Sequence, residues 1–404
     1  MAGVPMRGIV LSHPFCSPAN KPVAHALLRA GLLHSVITSN DFTGKEFLRR
    51  WVGEGPYLSR QWQLPREKIT LTRWPDLAGR ALMKAGFRTV GRGGYDVTYL
   101  GHDAMAAMLL PRDAAAVYSY EDGAPWQFAR ARSLGLRRLL ELPLGYYREV
   151  RERSAEARSH GRREFWAEPT WKIARKEREV ELADILVCNS YYMAEATRRH
   201  MPQAHVVTLP HLMPADEFEA RLVPQKSPLR LTYIGALSDR KGTLDLLQTW
   251  QHMRVPASAA TLTLVGSVHL DPAQLAPYRD SFEHIAYLSR PQIAERLRQT
   301  DLFVFPSWCD GYGLVLGEAL ACGTPVLASC YSGAYQLVRE GVEGWVYRPG
   351  TEQLRERLDT VIAQPQLLSA MRPAARQLAE DWSFRHRSEW IAATIGEALR
   401  ARSA

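Results

Sequence analysis

The chain has 404 residues, 46% of them apolar and 23% charged, a globular balance that suits two α/β domains and excludes extended disorder. Its five cysteines (Cys16, Cys188, Cys309, Cys322, Cys330) form no CxxC pair and no zinc spacing, so they read as free thiols in a reducing compartment. The formal net charge is +9; no stretch approaches the roughly 18 apolar residues of a membrane span, and no signal peptide opens the chain, so a cytoplasmic protein is expected.

The opening reads strand, turn, helix: Gly8 to Leu11, a Pro-rich turn from His13 to Pro22, then an apolar-periodic helix from Val23 to Ala30. Further strands are expected at Ser35–Thr38, Val97–Leu100, Ala115–Ser119 and Ile185–Cys188, with helical patterns between them. Leu209 to Pro228 carries four prolines and reads as a connector. The alternation then restarts: a strand at Arg230–Ile234, a helix from Gly242 to Trp250, and strands at Thr261–Val265 and Asp301–Phe305. The last of these is nearly continuous in apolar residues, as a strand buried on both faces should be. Strands alternating with helices predict two doubly wound parallel sheets, with ligands at the strand C-terminal ends in the cleft between them. The expected division is a first domain over 1–208, a linker over 209–228, a second domain over 229–380 and a C-terminal segment over 381–404.

Between Arg130 and Arg163 lie ten arginines against four glutamates. This surplus fits a solvated helical face, attraction to an anionic membrane surface or a phosphorylated lipid, or nucleic-acid binding. No aromatic-interleaved patch accompanies the charge, which weighs against nucleic acid. Peripheral contact at the inner face of the membrane is therefore an expectation for the 130–163 region.

The most informative stretch runs from Asp301 to Ser329, DLFVFPSWCDGYGLVLGEALACGTPVLAS. A buried strand ends at Pro306, and the Gly-rich turn Asp310-Gly311-Tyr312-Gly313 feeds a helix starting near Leu314. The amino end of that helix presents unpaired N–H groups and a positive dipole end, which suits a diphosphate. Gly311 and Gly313 allow the backbone to approach a ligand. Ionised Asp310 and Glu318 only accept hydrogen bonds, so they suit the hydroxyls of a sugar or ribose.

A carboxylate, seven residues, then Glu followed by Ala-Leu-Ala-Cys-Gly-Thr-Pro-Val resembles the E-x7-E signature of glycosyltransferase family 4. The segment Gly235-Ala-Leu-Ser-Asp-Arg-Lys-Gly242 resembles that family's phosphate-binding turn, and Leu264-Val-Gly266, Ser332-Gly333 and Glu343-Gly-Trp345 fall where it has similar elements. The likeness is strong from about Leu229 to Ser383 and weaker from Ile9 to Ser190. It implies a GT-B fold, two Rossmann-like domains facing a cleft. It also implies a retaining transfer from a nucleotide-diphosphate sugar to a saccharide or lipid-linked acceptor, in polysaccharide or glycoconjugate biosynthesis. On that likeness Arg240 and Lys241 hold the donor diphosphate, Glu318 the ribose, and Asp310 the transferred sugar, with Gly235, Gly266, Gly311, Tyr312, Gly313 and Leu314 lining the donor site. Two adjacent cations beside a helix amino end stabilise a leaving group that gains negative charge. The chain departs from the family twice: Asp310 stands where Glu is usual, and Ala236 where many members have Arg.

On the acceptor side, Tyr120 occupies the position where many family members carry a His. Glu121 reads either as an acceptor contact or as part of a helix cap, and Asp122 as the cap of a helix from about Pro125. His13 and Asn20 lie in the first strand-to-helix loop, which faces the ligand in such domains. His102 is expected at the end of a strand, and a His there commonly satisfies backbone groups. In the family the donor phosphate itself takes the acceptor proton, so no dedicated base is required. The C-terminal helix is expected to cross back to the first domain with Trp382 anchoring it.

No GxSxG, Walker A or HExxH motif is present, and no GxGxxG follows the first strand. No Asp-x-Asp pair is present either, so neither a metal nor a cofactor is expected. Two alternatives stay open: a GT-B nucleotide-sugar epimerase, and an inactive sugar-nucleotide-binding scaffold.

Overall fold

Short apolar runs bounded by turn residues form thirteen parallel strands in the computed structural model, which describes residues 8–45, 61–84, 93–222 and 228–401. The first sheet contains β1 (Ile9–Ser12), β2 (Leu33–Thr38), β3 (Ile69–Leu71), β4 (Ala116–Tyr120), β5 (Arg137–Leu142), β6 (Ile185–Cys188) and β7 (Val206–Thr208), in the order 3-2-1-4-5-6-7. The second contains β8 (Leu229–Ile234), β9 (Ala260–Val265), β10 (Glu283–Ile285), β11 (Leu302–Phe305), β12 (Val326–Ser329) and β13 (Gly344–Tyr347), in the order 10-9-8-11-12-13. In both sheets the order reverses beside the first strand, between β1 and β4 and between β8 and β11. A crevice forms at such a reversal, because the connections on either side leave to opposite faces.

The helices of the first domain are α1 (Asn20–Arg29), α2 (Trp74–Lys84), α3 (Gly93–Leu109), α4 (Pro125–Ser133), α5 (Tyr147–Ser159), α6 (Thr170–Leu182) and α7 (Tyr191–His200). Those after the connector are α8 (Thr243–Met253), α9 (Pro272–Leu275), α10 (Arg290–Gln299), α11 (Leu314–Ala321), α12 (Thr351–Ala363), α13 (Gln366–Asp381) and α14 (Phe384–Arg400). Central strands such as β1 and β11 are buried at every position, since helices cover both sheet faces. Each fully buried Leu, Ile or Phe in them contributes about 1.5–3 kcal/mol of burial.

The strand expected at Val97–Leu100 is a correction: these residues lie inside α3. Thr98, His102 and Ala106 recur at four-residue spacing and all point into the core, so helical periodicity overrides the strand preference of a Val-Thr-Tyr run. The final helix α14 packs Ile391, Ile395 and Ala398 into the apolar cluster that contains Ile9, Leu11 and Leu27 of the first domain. Trp382, just before it, is buried with its carbonyl oxygen accepting the Met213 N–H (2.9 Å).

One buried ion pair ties α13 to the second sheet. The Arg372 guanidinium donates to Asp301 (2.8 Å) and to the Thr300 carbonyl (3.0 Å), while Asp301 also accepts the Arg230 N–H (3.0 Å). Both side chains are almost wholly buried. Removing one partner strands the other, so Arg372→Ala is expected to destabilise the protein by about 3–5 kcal/mol in urea unfolding.

Candidate active site

The strand ends at the second crevice bring the Arg240–Lys241 turn and the Asp310–Gly313 turn together. The turn after β8 leads through Arg240 and Lys241 into α8, and the Arg240 carbonyl accepts the Trp308 N–H (2.9 Å) from the segment after β11. The Arg240 guanidinium donates to the Cys309 carbonyl (2.8 Å). The Lys241 ammonium is hydrogen-bonded to the Asp310 carboxylate and lies 5.2 Å from the centre of the Phe305 ring. One cation is thus held against the backbone of the turn, and the other against the Asp310 carboxylate.

Gly313 is the N-cap of α11 at φ 78°, a left-handed conformation that a side chain disfavours, and a glycine has no side chain with which to cap the helix. The Leu316 N–H bonds back to the Gly313 carbonyl (2.8 Å), and a helix amino end of this kind is able to bind an anion. Gly311 sits where the two domains touch, and a Cβ there would overlap the Pro143 carbonyl oxygen of the first domain. Tyr312 is buried edge-on to His211, with ring centres 5.3 Å apart, and its hydroxyl has no partner among the described residues. Leu314 opens α11 and is partly exposed. Gly235 and Gly266 end β8 and β9, donating to the Val265 and Ile285 carbonyls (both 2.9 Å).

One turn into α11, the Glu318 carboxylate accepts a hydrogen bond from Arg290 (2.9 Å), which also donates to Glu217 (2.8 Å). Burial raises Glu318 above the usual carboxylate value, and Arg290 opposes that shift. Glu318 and Arg290 line a cavity of about 350 Å³ that also borders Lys21, His25 and Gln63 of the first domain. Arg290 opens α10. Its pairing with Glu217 carries no local sequence signal.

On the facing domain, Tyr120 ends β4 buried, with its ring 4.5 Å from that of His13. His13 Nδ1 accepts the Phe15 N–H (3.0 Å), and burial lowers its pKa to about 4, so the ring is neutral at pH 7. Asn20 is turned inward: its amide donates to the Phe15 carbonyl (2.8 Å) and its oxygen accepts the Ser17 N–H (2.8 Å), so both ends are engaged by its own loop. Glu121 is paired with Lys176 (3.0 Å), and burial raises its carboxyl to about 7 despite that lysine.

Two expectations are corrected here. His102 is not at a strand end; it lies inside α3, wholly buried, within reach of Ser12 (3.1 Å), Thr72 (3.3 Å) and Ser39 (3.4 Å). Asp122 does not cap α4: Asp103 accepts the Trp126 and Gln127 N–H groups (3.0 and 2.9 Å), while Asp122 pairs with Lys172 (3.1 Å). Several of the arginines of 130–163 are held in ion pairs. Arg137 and Arg138 bind Asp184, Arg153 binds Glu149 and Glu156, and Arg162 and Arg163 bind Asp245 and Asp271 of the second domain.

That last arrangement forms a clamp between the domains that sequence reasoning did not anticipate. Arg162 makes two hydrogen bonds to Asp245 on α8 (3.0 and 3.2 Å), and Trp308 Nε1 donates to the same carboxylate (2.8 Å). Glu156 accepts from the Tyr331 hydroxyl (2.9 Å) and from Arg348 (2.9 Å). The loop after α5 thereby braces α8 and, through Asp245, the Trp308 segment that leads into the Asp310 turn, and its Arg163 N–H donates to Asp239 in the turn after β8 (3.1 Å).

Residues 215–378 match the family model of glycosyl transferases, group 1. The matched segment contains Arg240, Lys241, Asp310 and Glu318. In sequence, the chain is 29% identical over 247 residues to the D-inositol 3-phosphate glycosyltransferase of Rhodococcus opacus (strain B4), covering 55% of each protein. It is 27% identical over 168 residues to the glycogen synthase of Mycobacterium tuberculosis (strain ATCC 25618 / H37Rv), 40% of this chain and 41% of that one. The chain thus spans about half the length of the curated relatives it matches. In structure it resembles sucrose-phosphate synthase from Thermosynechococcus elongatus (TM-score 0.62, 17% identity, 98% of each chain). It also resembles Anabaena HepE in complex with UDP-glucose (TM-score 0.61, 15% identity, 97% of this chain and 100% of that one). The fold around the group 1 domain is GT-B, with sheets of seven and six parallel strands. Among the described residues no helix is long and apolar enough to cross a membrane.

Proposed function

We propose that the chain is a retaining glycosyltransferase of the family 4 type, moving a sugar from a nucleotide-diphosphate sugar to a saccharide or lipid-linked acceptor. The observation that carries this reading is the meeting of Lys241, Arg240 and the free amino end of α11 in one crevice, flanked by Asp310 and Glu318. The nucleoside end occupies the cavity beside Glu318, whose carboxylate accepts from ribose hydroxyls. The diphosphate lies between Lys241, Arg240 and the α11 amino end, so no metal is needed to balance its charge. The sugar reaches Asp310, displacing its contact with Lys241. The acceptor hydroxyl enters past Tyr120 and His13 on the same face as the leaving phosphate. Its proton passes to a phosphate oxygen as the glycosidic C–O bond breaks and the new one forms, leaving a nucleoside diphosphate.

The mechanism then rests on electrostatics. Charge grows on the diphosphate as the bond breaks, and fixed cations at a partly dry crevice stabilise that growth more than the ground state. Closure of the two domains limits donor hydrolysis by excluding water. The test is calorimetry with a panel of nucleotide sugars, followed by incubation with donor and acceptor. A transferred sugar with retained anomeric configuration is the expected product. An isomerised donor, or a bound donor returned unchanged, would overturn the reading.

A further inference from the structure

We propose that Arg290 is a positioning residue of the donor site: one half of its guanidinium holds Glu318 toward the cavity as a hydrogen-bond acceptor, and the other half is anchored on Glu217. This inference rests on the glycosyltransferase reading above and deepens it by naming the residue on which the ribose contact depends.

The geometry is that of a bridge. Arg290 is the first residue of α10, directly after the Ser289 cap, whose N–H and hydroxyl both donate to Gln292 (2.9 and 2.8 Å). From this fixed start its guanidinium reaches two carboxylates. Nη1 donates to Glu318 Oε1 (2.9 Å) and Nη2 to Glu217 (2.8 Å), with the guanidinium carbon 5.1 Å from the centre of the Phe218 ring. A planar fork held at both ends keeps its orientation, which a single ion pair on a long side chain does not. The two carboxylates are unequal. Glu217 is 63% exposed and is hydrated with or without Arg290, whereas Glu318 is 12% exposed and has little water to keep it charged. Arg290 engages Oε1, and on the proposed function Oε2 is the oxygen that accepts from a ribose hydroxyl.

The other charged groups around Glu318 are engaged elsewhere. Lys21 on the first-domain wall donates to Gln63 (2.5 Å), His25 to the Trp62 carbonyl (2.7 Å), and Asp216 pairs with Arg385 (2.9 Å). On α13, Arg376 meets Glu380 and the Phe218 and Ala321 carbonyls (all 2.7 Å). Cys322, one turn further along α11, is pushed up to about 12 by burial and stays neutral. Burial raises Glu318, Arg290 acts against that rise, and the Glu217 charge adds to it. Only the ionised carboxylate accepts with both oxygens. Donor affinity is therefore full above the Glu318 pKa and falls as pH drops through it. Without the guanidinium that point moves up, so the loss begins at higher pH.

The experiment is calorimetry on the full chain between about pH 5.5 and 8, with the nucleotide sugar that gives wild type the largest heat. Both phosphates of such a donor stay ionised across this range, so the profile reports the protein. Arg290→Met is expected to enlarge the ratio of acid-end Kd to alkaline-end Kd about fivefold or more over wild type. Arg290→Lys returns the profile toward that of wild type, because the charge is restored. Adding Glu318→Gln to Arg290→Met removes the enlarged ratio, while any share from His25 is common to all the variants. Arg290→Gln, which also loses the charge, gives the same reading where Arg290→Met melts below wild type. An affinity lowered equally at every pH makes Arg290 a direct donor contact and overturns the positioning role. An enlarged ratio that survives Glu318→Gln overturns it as well. Absence of donor heat in wild type, or Glu318→Ala binding donor as tightly as wild type, sinks the underlying reading instead, so the two failures are told apart.

Discussion

Lys241→Ala is expected to lower kcat about 100-fold, close to 3 kcal/mol of transition-state stabilisation, with a smaller change in donor Kd. The asymmetry follows from where charge develops. In the bound donor the diphosphate charge is already shared with Arg240 and the α11 amino end, so losing one cation weakens binding modestly. As the glycosidic bond breaks, the new charge falls on the phosphate nearest the sugar, and Lys241 is the cation in contact with Asp310, the carboxylate that the proposed function assigns to that sugar. Lys241→Arg should recover part of the rate, because the charge returns in a planar group of different reach. Glu318→Ala should behave differently. On the proposed function its carboxylate, held by Arg290, addresses the nucleoside end, where the interaction is the same before and during bond cleavage. Donor KM therefore rises while kcat changes less. Steady-state kinetics on both variants check the pair; a Lys241→Ala rate within about threefold of wild type would remove that residue from the chemistry.

The parts of this site that were legible in the sequence are those built locally. A buried strand, a Gly-rich turn and a helix amino end occupy some twenty consecutive residues, and their composition alone predicts where N–H groups point. The second sheet was legible for the same reason, each strand being a short apolar run closed by a turn. What the sequence hid were choices made by distant partners. Arg290 meets Glu318 across 28 residues and Glu217 across 73, and Arg162 meets Asp245 across 83. Between Arg130 and Arg163 a linear reading sees only surplus charge, because the carboxylates that pair with Arg137, Arg138, Arg162 and Arg163 come from the residue before β6, from α8 and from the loop before α9. The same blindness placed the α4 cap on Asp122. The nearer carboxylate in sequence lost to Asp103, which α3 carries to the helix end from another part of the fold. Val97–Leu100 failed for a different reason: a run of strand-favouring residues was read without the four-residue spacing of Thr98, His102 and Ala106.

Arg162→Ala is expected to destabilise the protein by about 3–5 kcal/mol and to weaken donor binding, although Arg162 lies in the first domain. Its guanidinium and the Asp245 carboxylate are both nearly solvent-free, so truncating Arg162 leaves a buried charge whose remaining hydrogen bond, from Trp308, does not neutralise it. The protein can relieve that cost by letting solvent reach Asp245. This requires the loop after α5 to leave α8, and with it the two turns that hold Arg240 and the segment from Trp308 to Asp310 lose their brace. A fall in melting temperature on the order of 10 °C should accompany a rise in donor Kd. Arg163→Ala supplies the contrast, because its pair with Asp271 is exposed and such pairs contribute about 0–1 kcal/mol. If the two variants melt alike, the clamp is not what aligns the crevice. If Arg162→Ala melts early but binds donor as well as wild type, the clamp stabilises the fold without shaping the site.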